Sequence, residues 1–458
     1  MSSTYSTVAP GRDLGVQARA LVALGMPLVG SHLAQMAITT TDALMLGWYD
    51  VTALAGVSLA GPVYFCIFIV CSGFAWAVMP MVASAAGVGD DRQVRRATRM
   101  GVWLSLVFGL VFTIPLMFFE EFFLAIGQQP DVSAIAGQYM AIAGLGLTPA
   151  LVVMVMKSYL SALELARAIL WVTIAAAALN VALNYVLIFG NLGAPELGAE
   201  GAAVASVVGH MTSMLALCVY AVLKTPQYDL FRNFWRPDGE AIVSVFRLGW
   251  PIGLTNLAEV GLFAASSIMM GWVGTIALAA HGIALHITSL TFMVHLGISQ
   301  ALTVRVGRAW GRQEPDTVRA TGVAGLGLSA ATVLATVLLF LTVPEFLVGL
   351  FVDPDDPDRP AILLAGAALL AVAALFQTVD ALQVLALGML RGVQDTRIPM
   401  IYAAFSYWAV GVPVSYYLGF EAGFEGVGVW LGLSVGLAVA AVLLQARFWR
   451  RHAGSTTS

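Results

Sequence analysis

Charge is what this chain lacks most. Only 10% of its 458 residues are Asp, Glu, Lys or Arg, against about 25% in soluble domains. With 59% hydrophobic residues, that shortage excludes a soluble globular protein and points to an integral membrane one. A net charge of −4 leaves no footprint for nucleic acid. Lysine is nearly missing. Lys157 and Lys224 are the only two, and neither completes the G-x-x-x-x-G-K-[ST] loop that cradles nucleotide phosphates. ATP is therefore excluded as a drive within this chain, and ion-gradient energy is what remains. No Ser/His/Asp set and no H-E-x-x-H occurs, so neither an enzyme nor a cofactor is expected. The three cysteines, Cys66, Cys71 and Cys218, lie inside apolar runs and read as small core residues, not disulfides or metal ligands. His281, His286 and His295 do not share one helical face and have no acid beside them, so they read as packing residues and no structural metal is expected. No cleavable signal peptide is expected, because the first apolar run is long enough to span and stay.

What is present is a duplication. Leu24 to Trp48 superposes without a gap on Leu248 to Trp272: Leu-Gly-x-Pro opens both and Gly-Trp closes both. The match continues through Gly73 and Gly297, then Gly87 and Gly311. Roughly a quarter of about 75 aligned residues are identical, too many for chance. Where the copies differ, Glu259 lies opposite Gln35, and Asp42 opposite Ser266.

Apolar runs of about 20 residues predict twelve helices, at 20–47, 54–86, 97–119, 133–162, 168–190, 198–223, 243–272, 277–306, 320–343, 361–390, 398–419 and 425–446. The fold class expected is an all-α polytopic membrane protein with two pseudo-symmetric six-helix lobes. Tails at 1–19 and 447–458 and a linker at 224–242 would flank lobes at 20–223 and 243–446. Six helices per half make the repeat parallel, with its axis along the membrane normal. Placing both termini in the cytoplasm puts every Lys and Arg except Arg359 at the inner face, as the positive-inside rule requires. The polar stretch Lys224 to Glu240 then reads as an inner hinge strap. Gly428, Gly432 and Gly436, spaced by four, predict close helix packing.

Three acids fall inside spans: Asp42, Glu259 and Asp380. A carboxylate near the bilayer centre costs about 2.5–3.5 kcal/mol on insertion scales. The plain alternative is a protonated acid hydrogen-bonded to a neighbouring helix. Span-interior Lys or Arg partners are lacking, Lys157 being the one exception considered. Glu259 and Asp380 both lie about 16–18 Å from the inner face at 1.5 Å per residue, so they are placed to share H⁺ or a transient Na⁺. Asn180 and Asn184, one turn apart, are expected at a depth where they could face Asp42, although interhelical hydrogen bonding, for the asparagines taken alone, is the favoured explanation. Pro27 and Pro251 occupy matching places and are expected to bend their helices.

The segments TTTDALMLG around Asp42, NLAEVGLFA around Glu259, VDALQVLALGMLRGVQDTRIP around Asp380 and ALNVALNY around Asn180 and Asn184 resemble those of the multidrug and toxic compound extrusion (MATE) family, in its NorM-like branch. The likeness covers nearly the whole chain. It implies two lobes facing each other in a V and export of amphipathic organic cations in exchange for Na⁺ or H⁺ by alternating access. It also implies a bacterial-type inner membrane protein, a monomer, whose partners are cationic small molecules and membrane lipid. By resemblance, Glu259 and Asp380 match the second-lobe cation site, and Asp42, Asn180 and Asn184 a first-lobe polar site. Gln35 and Phe376 join the expected cavity lining; some NorM-like members have Tyr where this chain has Phe376. A lipid-linked precursor flippase of the same superfamily and a polytopic membrane enzyme are the rival readings.

Overall fold

In the computed structural model, which describes residues 13–453, helix follows helix throughout. The first half consists of α1 (Leu14–Tyr49), α2 (Val51–Val88), α3 (Asp91–Leu116), α4 (Phe119–Ala125), α5 (Pro130–Leu145), α6 (Leu147–Ala162), α7 (Ala166–Leu187) and α8 (Ala199–Lys224). The second repeats the order with α9 (Gly239–Val273), α10 (Thr275–Gly311), α11 (Pro315–Thr342), α12 (Pro344–Gly349) and α13 (Arg359–Gly392). A single 25-residue stretch, Arg397–Glu421, follows. It runs as α14 (Arg397–Ala404), a π-helical segment at Phe405–Gly411, α15 (Val412–Tyr416) and a second π-helical segment at Tyr417–Glu421. The last helix is α16 (Glu425–Arg451). Eleven of these stretches are long and apolar enough to cross a membrane, twelve when α5 and α6 count as one bent span. Large apolar side chains such as Leu110 (62% exposed) and Leu364 (75%) point outward, which is tolerable where the surrounding medium is lipid.

Several boundaries depart from expectation, α1 starting at Leu14 in place of 20 among them, and two have a local cause in the chain. The helix expected over 133–162 is broken at Gly146, where α5 and α6 meet at 47°. Pro149 has no N–H to give the Leu145 carbonyl, so the ladder cannot run straight through. Helix α3 begins six residues before the expected 97. Gly89, at φ +78°, ends α2 in the left-handed conformation, and the Asp90 carboxylate caps α3 by accepting from the Gln93 N–H at 2.9 Å. Arg92, Arg95, Arg96 and Arg99 consequently ride the first turns of a helix, not a loop.

The described residues form two compact units. One is Gly30–Leu254; the other joins the residues up to Val29 with those from Thr255 onward. The division falls inside α1 and α9, just past Pro27 and Pro251, and not in the linker. Neither proline can donate to the carbonyl four residues earlier (Ala23 or Arg247), so both helices are weakest there. Inside the first unit, the start of α9 packs on α2, with a Cβ on Gly73 falling 2.5 Å from the Gly249 carbonyl oxygen. Inside the second, the start of α1 lies on α10 at Gly25 and Gly297, and the Gln17 side-chain amide oxygen accepts from Arg305 at 3.0 Å and Thr321 at 3.2 Å. The three glycines of α16 bring its backbone against the preceding span: a Cβ on Gly432 would stand 2.2 Å from Ser415 Cα, and one on Gly428 2.4 Å from the Leu418 carbonyl oxygen.

The strap is bonded along its length to α3. Arg95 donates to the Tyr228 carbonyl at 3.2 Å, Arg99 to those of Asn233 and Arg236, and the Trp103 indole N–H to Phe234 at 2.9 Å while its ring stacks on that phenyl. Arg96 closes the latch on Asp238 at 2.5 Å and Glu240 at 2.8 Å. The Arg96 guanidinium beside Asp238, helped by the Ala241 N–H, holds its carboxyl down at about 2. Because that value lies below the ordinary carboxylate range near 4, the latch contributes fully above about pH 4 and is lost as pH falls toward 2. Asp238→Asn is expected to raise the rate of trypsin cleavage after Arg232 about fivefold at neutral pH, the measure of an exposed ion-pair network of about 1 kcal/mol. Unchanged cleavage would show the strap to be held without this pair. The far end of the chain is tied down similarly. Burial opposes ionisation of Asp395, yet hydrogen bonds from His452 and Arg447 outweigh it and hold the carboxyl below its usual range.

Candidate functional site: two polar clusters in apolar surroundings

Each unit holds one polar cluster. In the unit Gly30–Leu254, α7 carries Asn180 and Asn184 on one face, four residues apart, and both are fully buried. The Asn184 amide N–H₂ donates to the Asp42 carboxylate at 2.5 Å and to the Asn180 carbonyl oxygen at 3.2 Å. The structure thus brings together Asp42, Asn180 and Asn184. Asn184 Oδ1 is left buried with no hydrogen-bond partner, a spare acceptor, while the Asn180 amide also lies against the Asp42 carboxylate. Tyr139 of α5 lies within electrostatic reach of Asp42 and was not singled out from sequence. Gln35 is not gathered in: it stands exposed on α1, two turns before Asp42.

The other unit assembles the second cluster from α9, α13 and the first π-helical segment. Asp380 is 2% exposed, Glu259 is half-buried, and the two carboxylates interact electrostatically. Asp380 Oδ1 has no hydrogen-bond partner. Gln377 and Gln383 flank Asp380 at three residues on either side, so all three share one face of α13. Gln377 donates to the Thr288 carbonyl at 2.9 Å and to Thr291 at 2.6 Å, and Gln383 donates to the Tyr407 hydroxyl at 2.5 Å. Their amide oxygens remain buried and unpartnered, as does Asp380 Oδ1. Three orphaned acceptor oxygens on one helix face are costly in a low-dielectric interior. A proton or a hard monovalent cation is the chemistry that satisfies them.

The acids are not without a cation, contrary to the sequence reading. Arg391, near the end of α13, is only 8% exposed, lies within electrostatic reach of Glu259, and donates to the Asn256 carbonyl oxygen at 2.9 Å. In sequence it looked like a marker of the membrane face, since it closes an apolar run. A long side chain that reaches across to another helix leaves no trace in spacing. Tyr407 lies near both acids and Arg391, and its place in an apolar run gives no sign of that in the sequence. The two glutamines were visible in FQTVDALQ as polar residues three to either side of the acid. Lys157 belongs to the other unit, where it neighbours His210, and so does not pair with Glu259 or Asp380.

Phe376 sits one turn before Asp380 in an aromatic cluster. Its ring meets Phe263 at 6.0 Å and Trp430 at 5.4 Å, both edge-on. Trp430 can only donate, so its N–H to His281 Nδ1 at 3.0 Å fixes the tautomer. His281 Nε2–H then donates to Ser267 at 3.0 Å, and Ser267 to the Phe263 carbonyl at 3.1 Å. Every polar atom in that chain is satisfied, so His281 is a packing residue. No group of three or more His, Cys, Asp or Glu positioned for a metal exists among the described residues.

The family model described as MatE matches residues 27–186 and 251–417, each segment opening on one of the paired prolines. "Probable multidrug resistance protein NorM" of Rhizobium meliloti (strain 1021) is 47% identical over 435 residues, 94% of this chain and 93% of that protein. The protein of the same name in Agrobacterium fabrum is 44% identical, over 94% of this chain and 93% of its own. Among solved structures, one described as an outward-facing conformation of a multidrug resistance MATE family transporter superposes with a TM-score of 0.86 at 20% identity, covering 96% of this chain and 97% of that one. The eukaryotic MATE transporter AtDTX14 superposes with a TM-score of 0.84 at 18% identity, over 96% and 98% of the two chains. With most of the chain matched by the family model and relatives of such identity aligned nearly end to end, the chain belongs to the MatE family.

Proposed function

We propose that the protein is a secondary active multidrug efflux antiporter that exports amphipathic organic cations in exchange for Na⁺ or H⁺ by alternating access. The observation that carries the coupling is the acceptor-rich cluster around Asp380. With Glu259 and Asp380 ionised and Arg391 charged, the cluster bears one net negative charge, which a single proton or Na⁺ neutralises. An uncompensated charge in a low-dielectric site is expensive, so loading and unloading that cation changes the relative stability of the two access states. A cation drives the cycle only if it binds those states unequally. The names of the relatives, both multidrug resistance proteins, support the substrate class. The Asp42 cluster is read as a polar subsite for substrate or a second proton. The distribution of Lys and Arg supports an orientation with both termini cytoplasmic; a monomer in the plasma membrane completes the reading.

The test is transport in proteoliposomes with imposed gradients. Efflux of an ethidium-type dye should follow a Na⁺ gradient at fixed pH, or a pH gradient at fixed Na⁺, and should collapse when the gradient is dissipated. Efflux insensitive to both would overturn the reading. Asp42→Asn is expected to lower dye efflux about tenfold, the scale of one charge-assisted hydrogen bond of 1.5–3 kcal/mol, with protein levels unchanged; full activity would remove Asp42 from the transport path.

A further inference from the structure

At the start of α3 a cavity of about 510 Å³ opens between that helix and the strap, lined by Arg92, Arg95, Arg96, Arg99, Arg236 and Asp238 among others. Few of these charges are spent on each other. Arg96 is taken up by Asp238 and Glu240. Arg95 and Arg99 donate only to neutral backbone carbonyls, and Arg99 Nε is buried with no partner. Arg92 and Arg236 are exposed. Five guanidinium groups therefore face two carboxylates, an excess of three positive charges around a space far larger than the ~30 Å³ of one water. A latch alone requires none of that surplus. The rim carries exposed aromatics, Trp235 at 70% and Phe231 at 36%, side chains that favour the headgroup layer. Guanidinium forks match phosphate oxygens in shape and charge.

We infer that this arginine-lined cavity is a binding site for a phosphate-bearing anion, independent of the two transport clusters. The shared chemistry is a phosphate group, reaching the cavity either as the headgroup of an anionic phospholipid in the adjoining leaflet or as a soluble phosphate. Basic pockets beside membrane spans bind anionic headgroups by the same electrostatics. Because the strap forms one wall, an anion bridging Arg92 and Arg236 would fasten it to α3 more firmly.

The purified transporter in neutral detergent is titrated with dioctanoyl phosphatidylglycerol, dioctanoyl phosphatidylcholine and pyrophosphate at fixed ionic strength, with tryptophan fluorescence as the readout. Phosphatidylglycerol or pyrophosphate is expected to bind at least ~10-fold more tightly than phosphatidylcholine. The pair R92Q/R236Q, which leaves every latch bond in place, is expected to weaken that binding about 25-fold, a factor of about five per arginine. Saturable binding of phosphatidylglycerol with no response to pyrophosphate alone identifies the lipid headgroup as the source; binding of pyrophosphate with phosphatidylglycerol no tighter than phosphatidylcholine identifies a soluble phosphate. Equal affinity for the two lipids with no response to pyrophosphate, or undiminished anion binding by R92Q/R236Q, overturns the site. Should the double variant fail to fold, R92Q and R236Q separately carry the same test, each with a fivefold loss.

Discussion

Glu259→Gln and Asp380→Asn are each expected to cut gradient-driven dye efflux by about 100-fold or more while the protein still reaches the membrane. Removing one member of a buried charged set costs about 3–5 kcal/mol, and every 1.4 kcal/mol is tenfold in an equilibrium. The amides keep the size and hydrogen-bonding capacity of the acids and delete only the exchangeable charge. In the Asp380 variant, a neutral amide stands at position 380 between Gln377 and Gln383 on one face of α13, and Arg391 balances Glu259 alone. The cluster then has no net charge to be neutralised by an incoming cation. Arg391→Gln makes the complementary case: two carboxylates without their counter-ion leave two negative charges, and exchange should stall with the site over-occupied. Gradient-driven efflux assays in vesicles separate these outcomes from simple loss of protein. Wild-type coupling in both acid variants would dissociate the second-unit cluster from energy transduction.

Gly432→Val is expected to abolish accumulation of folded protein, and Gly432→Ala to cost about 3 kcal/mol or more. Overpacking a well-filled interior typically costs 1–3 kcal/mol, but that range assumes side chains able to move aside. Here the first atoms met are backbone: Ser415 Cα and N, both 2.2 Å from the added carbon. Relief requires pushing α16 away from α15, with loss of the Ser415 hydroxyl bond to the Val429 carbonyl at 3.0 Å. Gly327 of α11 is the control, since nothing lies within 4 Å of a Cβ there. Gly327→Ala should be neutral or stabilise by about 0.5–1 kcal/mol through helix propensity. Thermal denaturation in detergent, followed by the monodisperse fraction remaining, ranks the three proteins. A normal melting temperature for Gly432→Ala would mean the two helices are not so tightly pressed.

Much of this was readable from the chain because membrane helices obey few and strong rules. Apolar length set the number of spans, and duplication set the order of the halves. The expense of burying charge picked out Asp42, Glu259 and Asp380 from 26 acidic residues. Period and rise also placed Asn180 and Asn184 at the depth of Asp42, where the structure bonds them. Tertiary reach was beyond such reasoning. Arg391 reaches across toward Glu259, and Tyr407 arrives from a span whose π-helical turns change which side chains face inward. The break at Gly146 depends on one missing donor inside an apolar run that hydropathy treats as continuous. The strap's composition announced a loop but not its bonds, because carbonyls that accept from arginines carry no sequence signature.

The assignment of each leading half-helix to the opposite unit has a consequence for how such a chain arose. If one gene was copied and fused, its unfused product lacked a completed bundle: the first ~16 residues of α1 found their packing partners in another copy. The ancestral state was then an intertwined homodimer with exchanged arms, of the kind produced by domain swapping. Fusion turned that exchange into a connection within one polypeptide. Severing the strap today should yield fragments that are insoluble alone and recover only when made together.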